Sequence, residues 1–162
     1  MIELTSSMPK DAASAGAYIF TVAKPTLEDL KVMVLLEASG ESFYQALCVN
    51  APSEQVRQLL AKNGQEEMGH AHRVARVITQ IFGEEVEIPA AADNPYVSAG
   101  PALSVSRELL TQMIQGELAG EGLYERWAEA LGDEEAGRQL RRNGAEERRH
   151  AERAQQALAL LS

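Results

Sequence analysis

The 162-residue chain contains a single cysteine, Cys48, which excludes an internal disulfide framework and any zinc or iron–sulfur site built from thiolates. Nothing in this cysteine usage calls for an oxidising compartment, so a cytoplasmic location is expected. Aromatic residues are scarce, 5% of the chain against 45% hydrophobic residues overall. No apolar run approaches the roughly 18 residues of a membrane-crossing helix. The N-terminal stretch also lacks a basic start followed by an apolar segment, so neither a secretion signal nor a membrane partner is expected. Positive charge is in short supply as well: 15 Lys and Arg face 24 Asp and Glu, a net charge of −9. That balance repels nucleic acid and attracts cations.

What the chain does have is Ala, Leu, Glu, Gln and Arg, the composition of long helices. Its length suits one domain. Pro25-Thr26 opens a helix reaching about Val49; Asn50 to Ser53 turn the chain, and Ser53 caps a second helix that Gly83 ends after Phe82,. A linker rich in Gly, Pro, Ala and Asn covers residues 83–100. Pro101 is expected to open a third helix to about Leu131, and Gly132-Asp133 to turn into a fourth that runs to the C-terminus. The expected fold is all-α: an antiparallel four-helix bundle over residues 25–162, made of two helical hairpins joined by a long crossover. Residues 1–24, with weak periodicity, form an arm that covers the bundle or serves an oligomer interface.

The two hairpins, 26–82 and 101–161, are repeats of one another. EASGESFY at 37–44 corresponds to ELAGEGLY at 117–124, and NGQEEMGHAHR at 63–73 to NGAEERRHAER at 143–153, each pair offset by 80 residues. Alternating steps of three and four trace the buried seam of each helix. In the second helix the seam runs through Val56, Leu60, Asn63, Glu67, His70, Val74 and Val77; in the fourth, through Ala136, Leu140, Asn143, Glu147, His150, Ala154 and Ala157. In the first it includes Val34, Glu37, Glu41 and Tyr44, and in the third Ile114, Glu117, Glu121 and Tyr124. Every seam is apolar at its ends and polar in its middle.

Burying this many carboxylates costs several kcal/mol per ion unless a cation sits among them. No Lys or Arg lies on these seams, so metal ions are the economical source of charge. Four carboxylates balance two divalent ions, and two imidazoles complete the set. Glu and His at i and i+3 project from one helix face, so each Glu-x-x-His pair is expected to hold one ion while the glutamates bridge. Oxygen and nitrogen donors without thiolate suit iron or manganese, with open positions for oxygen, peroxide or water. With the first hairpin turning near residue 51, Glu37 lies level with Glu67, and by repetition Glu117 with Glu147. The expected ligands are thus Glu37, Glu67, His70, Glu117, Glu147 and His150. Glu41 and Glu121 fall one turn nearer the loops, as additional ligands, carboxylates behind the ligands, or proton carriers. Tyr44 and Tyr124 are either radical or proton carriers or packed donors to a ligand carboxylate. Glu66, Glu146 and His72 are expected at the solvated face, Arg73 and Arg153 in surface or inter-helix ion pairs, and Cys48 in the core.

A Glu seven residues before a Tyr, followed by Glu-x-x-His and then repeated, resembles the ferritin-like superfamily and within it the rubrerythrin-like proteins. The resemblance covers about residues 26–161. It implies a di-iron carboxylate centre, with manganese or a mixed iron–manganese pair as variants, and an oxidoreductase acting on peroxide or dioxygen. Iron storage or ferrous-iron oxidation, and dioxygen activation on an organic substrate, are the alternative activities in such proteins. The chain has no paired cysteines of a rubredoxin-like domain, so the resemblance implies a separate electron donor. Its short hairpins imply a homodimer rather than a cage.

Overall fold

The computed structural model describes residues 2–97 and 103–161. Among them are five α-helices and no strand: α1 (Ala12–Ile19), α2 (Leu27–Val49), α3 (Glu54–Phe82), α4 (Arg107–Leu131) and α5 (Glu134–Ala159), with a single 3-10 turn at Ala91–Asp93. Each long helix starts on a side chain that accepts an otherwise unpaired backbone N–H. Thr26 and Asp29 cap α2 reciprocally, Ser53 accepts from Val56, Ser106 from Leu109, and Asp133 from Ala136. α3 and α4 both end on a left-handed glycine, Gly83 at φ 69° and Gly132 at φ 68°, a conformation that other residues adopt only with strain.

α2 packs along α3, α4 along α5, α3 against α5, and α1 on α2. In the first pair Gly40 lies beside Glu67, Tyr44 beside Gly64, and the Cys48 thiol against the Arg57 carbonyl. In the second pair Gly120 lies beside Glu147, Tyr124 beside Gly144 and Ala128 beside Gly137. Among the described residues no Cα of α2 comes within 8 Å of one in α4, so these two helices stand apart over the middle of the molecule. Apolar clusters close both ends. One includes Val34, Leu35, Val74, Val77, Leu123 and Leu140; the other includes Leu47, Val56, Leu60, Leu110 and Ala157. The polar middles of the four seams lie between them. No helix among the described residues is long and apolar enough to cross a membrane.

Two expectations change. The third helix begins at Arg107, not Pro101, which lies outside the described residues. Leu103 and Val105 instead pack as extended chain against the apolar cluster near the loop, where the Leu103 carbonyl accepts from Asn50, and the Ser106 cap fixes the helix start. The arm is partly helical and joins the core through Ile2, Met8, Ala15 and Ile19. It is fastened by the buried Trp127 indole, which donates to the Val22 carbonyl at 3.0 Å, and by Tyr96 of the linker, which donates to the Pro9 carbonyl.

Candidate metal centre

His70 from α3 and His150 from α5 are fully buried, and their rings stack with centroids 5.2 Å apart and planes at 14°. Carboxylates converge on their Nδ1 atoms. Glu37, His70 and Glu147 form one group, and Glu67, Glu117 and His150 a second; within each, one ligand atom per residue lies within 4.8 Å of the others. His70 Nδ1 is 3.3 Å from Glu37 and 3.1 Å from Glu147. His150 Nδ1 is 3.4 Å from Glu67, 3.6 Å from Glu117 and 3.5 Å from Glu147.

Glu and His of one Glu-x-x-His motif therefore belong to different groups, contrary to the expectation that each motif serves one ion. Because α3 packs directly on α5, each glutamate reaches across to the histidine of the other helix. Glu147 spans the two imidazoles, while Glu67 is 3.4 Å from His150 and 4.0 Å from His70. Glu37 and Glu117 close the flanks. Each accepts a short hydrogen bond from the tyrosine of the opposite repeat, Tyr124 to Glu37 and Tyr44 to Glu117.

A second ring of charge lies behind the imidazoles. His70 Nε2 is 3.1 Å from Glu146, which also pairs with Arg73; His150 Nε2 is 2.9 Å from Glu66, which pairs with Arg153 at 2.8 Å. The expectation that Glu66 and Glu146 are solvated is thus overturned. Glu146 is buried and Glu66 half-buried. α3 and α5 each meet two neighbours, so each buries a stripe wider than a single seam, and the residue preceding the seam glutamate falls within it. An Nε2–H donated to a carboxylate sets the tautomer and aims Nδ1 at the cluster. Asn63 and Asn143 tie the layers together: their side-chain amides donate to the backbone carbonyls of His150 and His70, and their oxygens accept from Arg153 and Arg73.

The remaining candidates stand apart. Glu41 accepts from Gln45 at 3.3 Å, and Glu121 pairs with Arg148 at 2.6 Å; neither joins a ligand group. Four residues beyond Glu37 and Glu117 along their helices, both sit a full turn from the histidines. His72 is exposed, and Cys48 is partly buried at the core edge, its thiol pKa raised by burial.

Burial favours the neutral form of every group here, but neighbours decide the outcome. It pushes Glu67 well above the usual carboxylate range, where Glu37 and Glu147 add repulsion, and Glu117 up to about 7, reinforced by Glu147. Burial alone would lower the imidazoles, yet the carboxylates of Glu117, Glu147 and Glu67 crowded around it favour the protonated ring and push His150 up to about 12, and Glu146, Glu147 and Glu37 raise His70. For Glu146 the burial cost is outweighed by His70 and Arg73, which draw it down to about 2. Burial also raises Tyr44 and Tyr124 well above the ordinary phenol value, keeping both as neutral donors.

His150 Nδ1 is a buried polar atom with no hydrogen-bond partner, though it faces three carboxylates. An ion about 2.0–2.2 Å from each donor sets neighbouring donors roughly 3.0–3.5 Å apart, close to the 3.1–3.6 Å that separates the two Nδ1 atoms from the carboxylates of their groups. The residues fit a metal ion, and their nitrogen and oxygen donors suit iron or manganese.

An all-helical scaffold that gathers carboxylates and two imidazoles in its core, each imidazole backed by a further carboxylate, defines a carboxylate–histidine metal protein. The chain belongs to the rubrerythrin family, which it matches over residues 28–158 and which implies iron binding. Comparison with curated proteins and with solved structures gave no match.

Proposed function

We propose that the chain is a non-haem di-iron protein built as an antiparallel four-helix bundle of the ferritin-like type, and that it is an oxidoreductase reacting with peroxide or dioxygen. The observation that carries this reading is the pair of abutting three-residue groups, one of which holds an orphaned imidazole nitrogen. Glu37, His70 and Glu147 would hold one ion, and Glu67, Glu117 and His150 the other, with Glu147 and Glu67 shared between them. Iron bound there supplies one-electron redox changes and Lewis acidity.

The chain's own contribution is orientation and proton control. Glu146 and Glu66 hold the imidazole Nε2–H bonds and keep both Nδ1 atoms facing inward,. Tyr124 and Tyr44 each keep a proton on the hydroxyl while fixing Glu37 and Glu117. The low-dielectric surroundings of the buried imidazoles and carboxylates strengthen the charge interactions among them. Electrons would reach the centre from a donor outside these residues.

Mixing the ferrous protein with peroxide, and separately with dioxygen, in a stopped-flow spectrometer tests this reading. Oxidation faster than that of free ferrous iron is expected with at least one of them. Oxidation no faster than free iron with both would refute it.

A further inference from the structure

Where α2 and α4 stand apart, a cavity of about 270 Å³ opens between them. Its floor is formed by Glu37, Glu67, Glu117 and Glu147, while neither histidine lines it. Its walls are apolar and come from matching positions of the two repeats: Met33 with Met113, Phe43 with Leu123, and Gly40 with Gly120. α1 adds Ile19 and Phe20 at one side. No Lys or Arg lines it.

The repeat is broken at the mouth, where Leu36 of α2 corresponds to Gly116 of α4. A glycine inside a helix costs about 0.5–1 kcal/mol relative to alanine, and at Gly116 no neighbour requires it: a Cβ there would meet nothing within 4 Å. The same holds for Gly16 of α1 on the facing wall. Both glycines line the cavity and leave space there that a side chain could fill.

We infer that this cavity is a binding site for a small, neutral, apolar organic molecule, held directly over the carboxylate face of the metal centre. The volume lies just below that of drug-sized pockets and is far too small for a helix of another protein. Apolar walls reward apolar surface at about 25 cal/mol per Å² buried, and they offer no cation to an anionic ligand. The four glutamates are balanced by the ions they would hold, so the occupant's own charge should be near zero; this step rests on the reading proposed above. The molecule so placed is the organic co-substrate, or its mimic, of the centre beneath it.

Methyl NMR on protein labelled at methionine tests the inference, with 1-octanol as the probe, in both metal-free and zinc-loaded samples whose zinc content is measured. Met33 and Met113 lie in the cavity wall, whereas Met8 and Met68 do not line it. Saturable shifts of the Met33 and Met113 methyls are expected, with Met8 and Met68 unmoved. Gly116→Leu should weaken binding at least tenfold without lowering zinc content, and Gly16→Leu, which fills the cavity from the other wall, should do the same if the first variant fails to fold. Shifts absent from both samples, or unchanged affinity in a folded variant, would overturn the proposal. So would sedimentation showing that a second copy covers the cavity and that Gly116→Leu disrupts that dimer. Octanol binding in a protein that takes up no zinc would support the cavity and count against the metal centre alone, so the two readings fail separately.

Discussion

Gly40 and Gly120 occupy equivalent places in the two repeats, yet the structure predicts opposite consequences for the same substitution. A Cβ at Gly40 would lie 2.7 Å from Glu67 Oε2 and 2.8 Å from its Cδ, whereas at Gly120 the nearest atom, Glu147 Cγ, is 3.4 Å away. In metal-free Gly40→Ala the Glu67 side chain can swing aside, and the helix gains the usual glycine-to-alanine stabilisation of about 0.5–1 kcal/mol. With metal bound it cannot. Restoring ordinary contact, from 2.7 to 3.4 Å, needs a retreat of about 0.7 Å, against a tolerance of about 0.2 Å in metal–ligand distance. Gly40→Ala should therefore unfold at an equal or higher temperature than wild type when metal-free, while its affinity for the weaker-held ion falls at least tenfold, about 1.4 kcal/mol. Gly120→Ala should gain the stability and keep the affinity. Thermal melts and competition with a chelator of known affinity measure both quantities. Wild-type metal affinity in Gly40→Ala, or equal losses in both variants, would refute the reasoning.

Three further predictions follow from the same geometry. Because the two groups each hold one imidazole, His70→Ala and His150→Ala should each reduce metal content from two ions to one per chain, as read by elemental analysis of dialysed protein; retention of both would contradict the grouping. Arg73→Ala leaves the buried Glu146 short of its closest cation and should destabilise the metal-free protein by about 3 kcal/mol, the low end for a broken buried pair, since Arg142 and Arg149 each lie 3.4 Å from Glu146. Arg153→Ala should cost only about 1 kcal/mol, because its partner Glu66 is 31% exposed; denaturant melts compare the two. The pH dependence is set by protons that metal displaces. Glu117 is raised from 4.5 to about 7, so its contribution to stability is present below pH 4.5 and lost as pH rises through 7; for His150, raised from 6.5 to about 12, it is present below 6.5 and lost as pH rises toward 12,. The metal-free melting temperature should fall as pH rises above neutrality, while metal affinity rises over the same span. A metal affinity flat between pH 6 and 8 would contradict this.

The inner carboxylates and histidines could be read from the chain because the repeat and the helical period coincide: Glu67, His70, Glu147 and His150 sit mid-seam between apolar residues, and their partners recur at the same spacing. Glu66, Glu146, Arg73 and Arg153 were less legible. A single seam describes contact with one neighbour, and these residues lie on the stripe where α3 meets α5. The signal for them was present as charge repetition, since Glu66 and Glu146 both precede a seam glutamate and Arg73 and Arg153 both follow a histidine by three. The exchange of glutamates between motifs was not legible at all, because spacing along one helix carries no information about how far a side chain reaches toward another. Nor was the start of α4, where tertiary packing of Leu103 and Val105 prevailed over the proline signal. The cavity between α2 and α4 depends on how far apart the backbones of two helices stand, a property of the assembled helices.

The most direct test is anomalous diffraction at the iron edge from crystals of protein loaded with ferrous iron. Two iron peaks per chain are expected, one enclosed by Glu37, His70 and Glu147 and the other by Glu67, Glu117 and His150. No peak within these groups, or iron held at Glu41 or Glu121 instead, would contradict this.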